Sequence, residues 1–176
     1  MRALVVVESM FGNTQTVARA IADGLGTRLE VHLVDVGHGP TTVPPDLDLL
    51  VVGGPTHAFG LSRTSTRGTA AQQAGTTVTP VEAGLREWLH QLVAPSGPIV
   101  AATFDTRIKK HGIPGSAARG AAKRLGRLGI PLLAPPTSFW VTGTPGPLVE
   151  GEVARARHWG EDLAIRLATP VAWKVA

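Results

Sequence analysis

Residues 5–25 read VVVESMFGNTQTVARAIADGL, and their reading decides the fold. The opening valines are β-branched and suit a buried strand. From Thr14 to Leu25, residues Val17, Ala18, Ile21, Ala22 and Leu25 recur at 3/4 spacing and share one face of a helix. Between the two lies SMFGNTQT, Ser9 to Thr16, longer than a simple turn requires. A loop that leaves a strand and opens a helix presents unpaired backbone N–H groups and a partial positive charge, the local chemistry of a phosphate site. Gly12 lets the backbone approach an anion closely. The hydroxyls of Ser9, Thr14 and Thr16 and the Asn13 amide add neutral donors, and no Lys or Arg is present in the loop. An ordinary N-cap at Asn13 or Thr14 explains part of the same pattern.

Working outward, strand-like runs cover Ala3–Val7, Leu29–Val34, Leu47–Val52, Pro98–Phe104 and Leu132–Val141. Amphipathic helical spacing recurs over Val81–Val93, Ser116–Leu128 and Gly151–Leu167. Strands alternating with helices predict βαβ units. The continuous apolar runs ALVVV, LLVVG and IVAATF suit strands covered on both faces. The fold class is therefore α/β: a three-layer sandwich around a five-stranded parallel sheet, order 2-1-3-4-5, with a ligand at the carboxyl ends of strands 1 and 3. The connection after strand 2, VGHGPTTVPPDLD, is too rich in Pro and Gly for a long helix. Residues Gly60 to Pro80 read as a long polar loop, a lid or binding loop.

The 176 residues, 43% apolar, suffice for one domain spanning 1–176. No cysteine is present, which excludes disulfides and thiolate chemistry, and no apolar run approaches a membrane span. A cytoplasmic location is expected. The formal charge is +4, with a basic cluster at Arg107, Lys109, Lys110 and His111 and another at Arg119, Lys123, Arg124 and Arg127. Scattered arginines and few aromatics disfavour nucleic acid as the partner. The six histidines contain no i, i+4 pair, so no metal site is expected. The nucleotide signatures G-x-x-x-x-G-K-[ST] and G-x-G-x-x-G and the hydrolase signature G-x-S-x-G are all absent. Glu8-Ser9 after strand 1 and Gly53-Gly54-Pro55 at the end of strand 3 do not supply the acidic residues of a phospho-receiver domain.

The motif S-M-F-G-N-T resembles the phosphate loop [ST]-x-[TYF]-G-x-T of the flavodoxin-like flavoproteins. GGPTHAFG at Gly53–Gly60 sits where that family has its second flavin loop, and its P-T-x-x-F-G is similar to the quinone reductases of the fold. TFDTRIKK at Thr103–Lys110 stands at the third. The resemblance spans nearly the whole chain. It implies FMN, with its phosphate on Ser9, Phe11, Gly12, Asn13, Thr14 and Gln15. The ring would then lie between Pro55, Thr56, His57, Ala58, Phe59 and Gly60 on one side and Thr103, Phe104, Asp105 and Arg107 on the other. Phe59, His57 or Phe104 would stack on it.

The implied function is electron transfer, as a non-enzymatic carrier or as a small quinone-reductase-like oxidoreductase. A redox protein, a small quinone or NAD(P)H would be the partner of a monomer or homodimer, with no membrane involved. No catalytic residue is assigned. The alternative is a non-redox binding or regulatory module of the same fold that has lost flavin. Two departures from the family bear on the choice. Electron-shuttling flavodoxins are acidic with a tyrosine on the flavin, whereas this chain is basic and has no tyrosine. Its Arg107, Lys109 and Lys110 would favour an anionic reduced flavin and raise the potential. Quinone reductases tend to have glycines in the third loop, where Phe104-Asp105-Thr106 stands here.

Overall fold

The computed structural model describes residues 1–57, 60–73, 84–109 and 115–169, with only the backbone described over 69–73. Ala58, Phe59, Lys110, His111 and the residues after 169 lie outside the described residues. Strands β1 (Arg2–Val7), β2 (Glu30–Asp35), β3 (Leu49–Pro55), β4 (Val100–Ile108) and β5 (Thr137–Val141) form one parallel sheet in the order β2-β1-β3-β4-β5. The α/β class and strand order expected from the sequence are therefore present.

Alternation along the buried strands divides the core. Ala3, Val5, Val7, Leu49, Val51, Ala102 and Phe104 face helices α1 (Asn13–Leu25) and α5 (Glu152–Ala168). Leu4, Val6, Leu50, Val52 and Ala101 face α3 (Leu85–Gln91) and α4 (Ala117–Arg127). The two helices of the first face meet backbone to backbone. A Cβ at Gly24 would lie 2.1 Å from the Arg157 carbonyl oxygen, and one at Gly160 would lie 2.3 Å from that of Ile21. Only glycine permits that approach.

Three expectations are corrected. The polar excursion after Gly60 contains a further helix, α2 (Thr64–Gln73). It lacks an apolar stripe, and Arg67, turned inward and 5% exposed, bonds Ser62, Thr64 and Glu87. The second helical run begins only at Leu85 among the described residues. The third expected loop is strand rather than loop as far as Ile108, because β5 pairs with Phe104–Ile108 along β4. The connection after β2 holds a single 3₁₀ turn, Val36–His38, as its Pro and Gly content requires.

Candidate functional site

The chain reverses winding direction at β1, which has β2 on one edge and β3 on the other. Crevices at the carboxyl ends of such strands are where open α/β sheets bind ligands. Here β1 ends at Val7, and the ladder continues one step as the Glu8 N–H donates to the Gly53 carbonyl at 2.9 Å. The following loop enters α1 through Gly12, whose φ of 84° is left-handed and favours glycine. In the first turn the Gln15 N–H donates to Ser9 Oγ at 3.2 Å and the Thr16 N–H to the Gly12 carbonyl. The N–H groups of Asn13 and Thr14 have no acceptor among the described residues. The loop thus offers two free amide donors at the positive end of a 13-residue helix.

Strands β3 and β4 reach further, to the paired residues Pro55 and Thr106. Beyond them the Thr56 N–H donates to the Thr106 carbonyl at 2.9 Å. His57 and Gly60 exchange two backbone hydrogen bonds, at 2.9 and 2.8 Å. The carboxylate of Asp105, fully buried, ties these parts together. Its Oδ2 accepts from Thr56 Oγ1 (2.9 Å), Ser116 Oγ (2.6 Å) and the Ala118 N–H (3.1 Å), so it fixes loop two to the start of α4.

A cleft of about 400 Å³ opens between these segments, within the size range of small-molecule sites. Its walls come from the first loop (Met10, Phe11, Asn13, Thr14), the end of β3 (Pro55, Thr56, His57) and the end of β4 (Thr106, Arg107, Ile108). Thr66 of α2 and the segment Val141–Pro145 complete it. No protein-family model matches this sequence, and no curated protein matches it. Solved structures do. A flavodoxin from Streptococcus pneumoniae TIGR4 superposes with a TM-score of 0.66 at 15% identity, over 94% of this chain and 99% of that one. A flavodoxin from the domain Archaea gives 0.63 at 15% identity, over 96% and 100%. Rubredoxin oxygen:oxidoreductase from Desulfovibrio gigas gives 0.63 at 16% identity, over 96% of this chain but 37% of that one.

The chain has the flavodoxin fold.

Within that flavodoxin fold, the structure brings together at the cleft Phe11, Asn13, Thr14, Pro55, Thr56, His57 and Arg107 of the residues expected from the sequence. Ser9, Gly12 and Gln15 shape the first turn behind them, and Gly60 lies on the outer side of loop two. Ala58 and Phe59 lie outside the described residues. Thr103, Phe104 and Asp105 do not reach the cleft, because each is fully buried in β4. The Phe104 ring packs edge-on against Phe139 and Trp159, about 6.2 and 6.3 Å between centroids, and lies where a Cβ on Gly53 would have to be. The aromatic surface of the described cleft therefore comes from Phe11 and His57.

Several donors in the first loop are already engaged. Thr14 and Thr106 share a buried hydroxyl–hydroxyl bond of 2.8 Å, and Thr16 Oγ1 donates to Gly12. Asn13 Nδ2 donates to the Pro145 carbonyl at 2.5 Å. The Ser9 hydroxyl accepts from Gln15, which leaves its proton for a ligand. The segment 141–145, unremarked in the sequence, is thus the fourth wall, and its only local signal is the Pro/Gly-rich run TGTPGP.

A polar cluster backs the cleft. Glu8, 1% exposed, accepts the Leu85 N–H at 2.7 Å through Oε2, while its Oε1 and the Arg67 Nε have no partner among the described residues. Burial pushes the His57 imidazole below its ordinary value; Glu8 opposes that shift and Arg67 adds to it. Arg107 donates to the Gly115 carbonyl at 2.7 Å and stands 5.8 Å from the Trp140 ring centroid. Among the described residues no group of three metal-ligating side chains occurs, and no helix is long and apolar enough to cross a membrane.

Proposed function

We propose that this chain binds FMN in the cleft and serves electron transfer, as a carrier or as a small flavin-dependent oxidoreductase. The observation that carries the proposal is the first turn of α1. Two amide N–H groups without acceptors among the described residues follow a left-handed glycine at the sheet's winding reversal, with no lysine or arginine in the loop. A phosphate dianion suits such neutral, preorganised donors. The residues present fit the group: Asn13 and Thr14 through their backbone and Ser9 through its hydroxyl would hold the phosphate. Phe11, Pro55, Thr56 and His57 would flank the ring.

FMN, when bound, supplies a ring that accepts and returns electrons. The protein's share is position and electrostatics. Asp105 holds Thr56 and the start of α4 in one arrangement, which keeps loop two preorganised. Arg107 places a cation on the cleft wall. His57, held toward its neutral form by burial, can take up a proton at the cleft surface.

A visible absorption spectrum of the purified protein, followed by titration with FMN and with riboflavin, tests the reading. A two-band flavin spectrum, or FMN binding that riboflavin cannot match, is the expected result. A colourless protein that takes up no FMN at tens of micromolar would leave the flavodoxin fold as a binding module without flavin.

A further inference from the structure

The charge of this chain is sorted along the sequence. Residues 58–128 carry ten Lys and Arg against three Asp and Glu, whereas the remainder carries seven against ten. Of those three acids, Asp105 is buried and Glu87 pairs with Arg67. The basic excess gathers on α4 and its junction with α3. A groove of about 230 Å³ runs there, and its lining includes Arg86, His90, Lys123, Arg124 and Arg127, with no carboxylate among the described residues. Arg86 donates to the Leu61 and Ser62 carbonyls, and Arg124 to those of Leu89 and His90. Carbonyls hold both guanidinium groups in place, and neither has an acidic partner among the described residues.

Arg119, Lys123 and Arg127 stand at i, i+4 and i+8 on α4, exposed and without an acidic partner among the described residues. Like charges at that spacing weaken a helix. The buried face of α4, Ala117, Ala118, Ala121 and Leu125, points the other way, so the stripe faces solvent. The groove shares Gly60 and Leu61 with the outer side of loop two, and Gly60 is bonded to cleft-lining His57.

We propose that the α3/α4 face is the docking surface for an acidic protein partner, received along the Arg119–Lys123–Arg127 stripe. Four helical residues advance about 6 Å, so a partner helix with carboxylates at i, i+4 matches the stripe one for one. Among its described lining residues the groove has no Phe, Tyr or Trp to stack a base and His90 is the one aromatic ring, which favours a protein over single-stranded nucleic acid. Attraction of this kind speeds encounter and sets orientation, as suits a partner that must arrive and leave quickly. The docking stands on the charge pattern; that it delivers electrons to the neighbouring cleft rests on the FMN reading.

The probe is a helical peptide with glutamates at i, i+4, measured by fluorescence anisotropy against the full chain at 20 and 200 mM salt. A peptide of equal composition with scrambled spacing and a 20-base-pair DNA duplex serve as controls. Saturable binding that weakens at least tenfold at the higher salt, exceeds both controls and is lost in Arg119→Glu/Arg127→Glu is the expected result. Lys123→Glu makes a second test, because it creates opposite-charge i, i+4 pairs with both neighbours. It should fold at least as well as the parent by circular dichroism and bind at least tenfold more weakly. Equal binding by these variants, equal binding of the scrambled peptide or tighter binding of the duplex would overturn the proposal. Adding FMN to each sample separates the two readings: loss of docking leaves the flavin spectrum in place, and absence of flavin leaves peptide binding in place.

Discussion

The two sides of the sheet are closed by different physics. On one side α1 and α5 touch through glycine backbone, and Trp159 of α5 packs mutually edge-on with Phe104 and Phe139 of the sheet. On the other, α2, α3 and α4 are bound partly by polar contacts: Glu8 to the Leu85 N–H, Arg67 to Glu87, and Arg124 to carbonyls of α3. The first side tolerates almost no added volume. The second depends on satisfied hydrogen bonds, and a lost partner there leaves a buried group exposed to the full desolvation cost. The cleft needs both, since α1 carries its amides and the polar side carries loop two.

The sharpest way to break the contrast is Gly160→Ala. Alanine favours a helix by about 1 kcal/mol over glycine, yet its methyl would fall 2.3 Å from the Ile21 carbonyl oxygen. Overpacking, about 3 kcal/mol, should win, for a net loss of about 2 kcal/mol or roughly 4–8 °C in Tm for a chain of this size. Thermal unfolding by circular dichroism measures it; an unchanged Tm would mean that the helices can move apart freely.

On the polar side, Asp105→Asn keeps the shape but weakens three charge-assisted bonds at Oδ2. A loss of about 2 kcal/mol in urea unfolding is expected, together with weaker FMN binding as Thr56 loosens. Weaker FMN binding without a stability loss would place Asp105 in ligand contact, which its burial opposes.

These two sites also mark what the sequence makes legible. Apolar periodicity exposes every element whose burial is apolar: the buried valines of β1, the 3/4 stripe of α1 and the strands that surround them. It is silent on α2, TSTRGTAAQQ, where an inward arginine forms the buried contacts. It also stops β4 at Phe104, because Asp105 and Arg107 look like loop residues until Ser116 and Trp140 are brought beside them by the fold. The first loop could be read because its chemistry is local. The wall at 141–145 could not, since its place opposite Asn13 is set by contacts some 130 positions apart.

A smaller effect belongs to His57. Its imidazole is pushed below the ordinary value of 6.5, so the unfolded chain binds more protons between the folded value and 6.5. Stability should therefore rise with pH through that window and fall as pH drops through the folded value. The change is expected to be small, because the Glu8 charge opposes the effect of burial. His57→Gln should flatten this limb in urea titrations between pH 5 and 7; a limb unchanged by the substitution would assign it elsewhere.

The last effect is electrostatic and is read as a potential. Arg107→Gln removes a cation from the cleft wall, worth about 1 kcal/mol at close range in water. That is roughly 20 mV in a two-electron couple. Spectroelectrochemistry of the FMN-loaded protein should show the potential more negative by about this amount. A shift of the opposite sign would remove Arg107 from the electrostatics of the site.

The glycine seam between α1 and α5 has a consequence for biosynthesis. Helix α1 is made early and α5 only at residues 152–168, yet each supplies a glycine on which the other closes. The wall that bonds Asn13 also arrives late, at Pro145. A nascent chain that has emerged only as far as β4 therefore has the loop but neither the brace behind its helix nor the wall before it. The cleft is therefore walled and braced only once the last of these helices has cleared the ribosome.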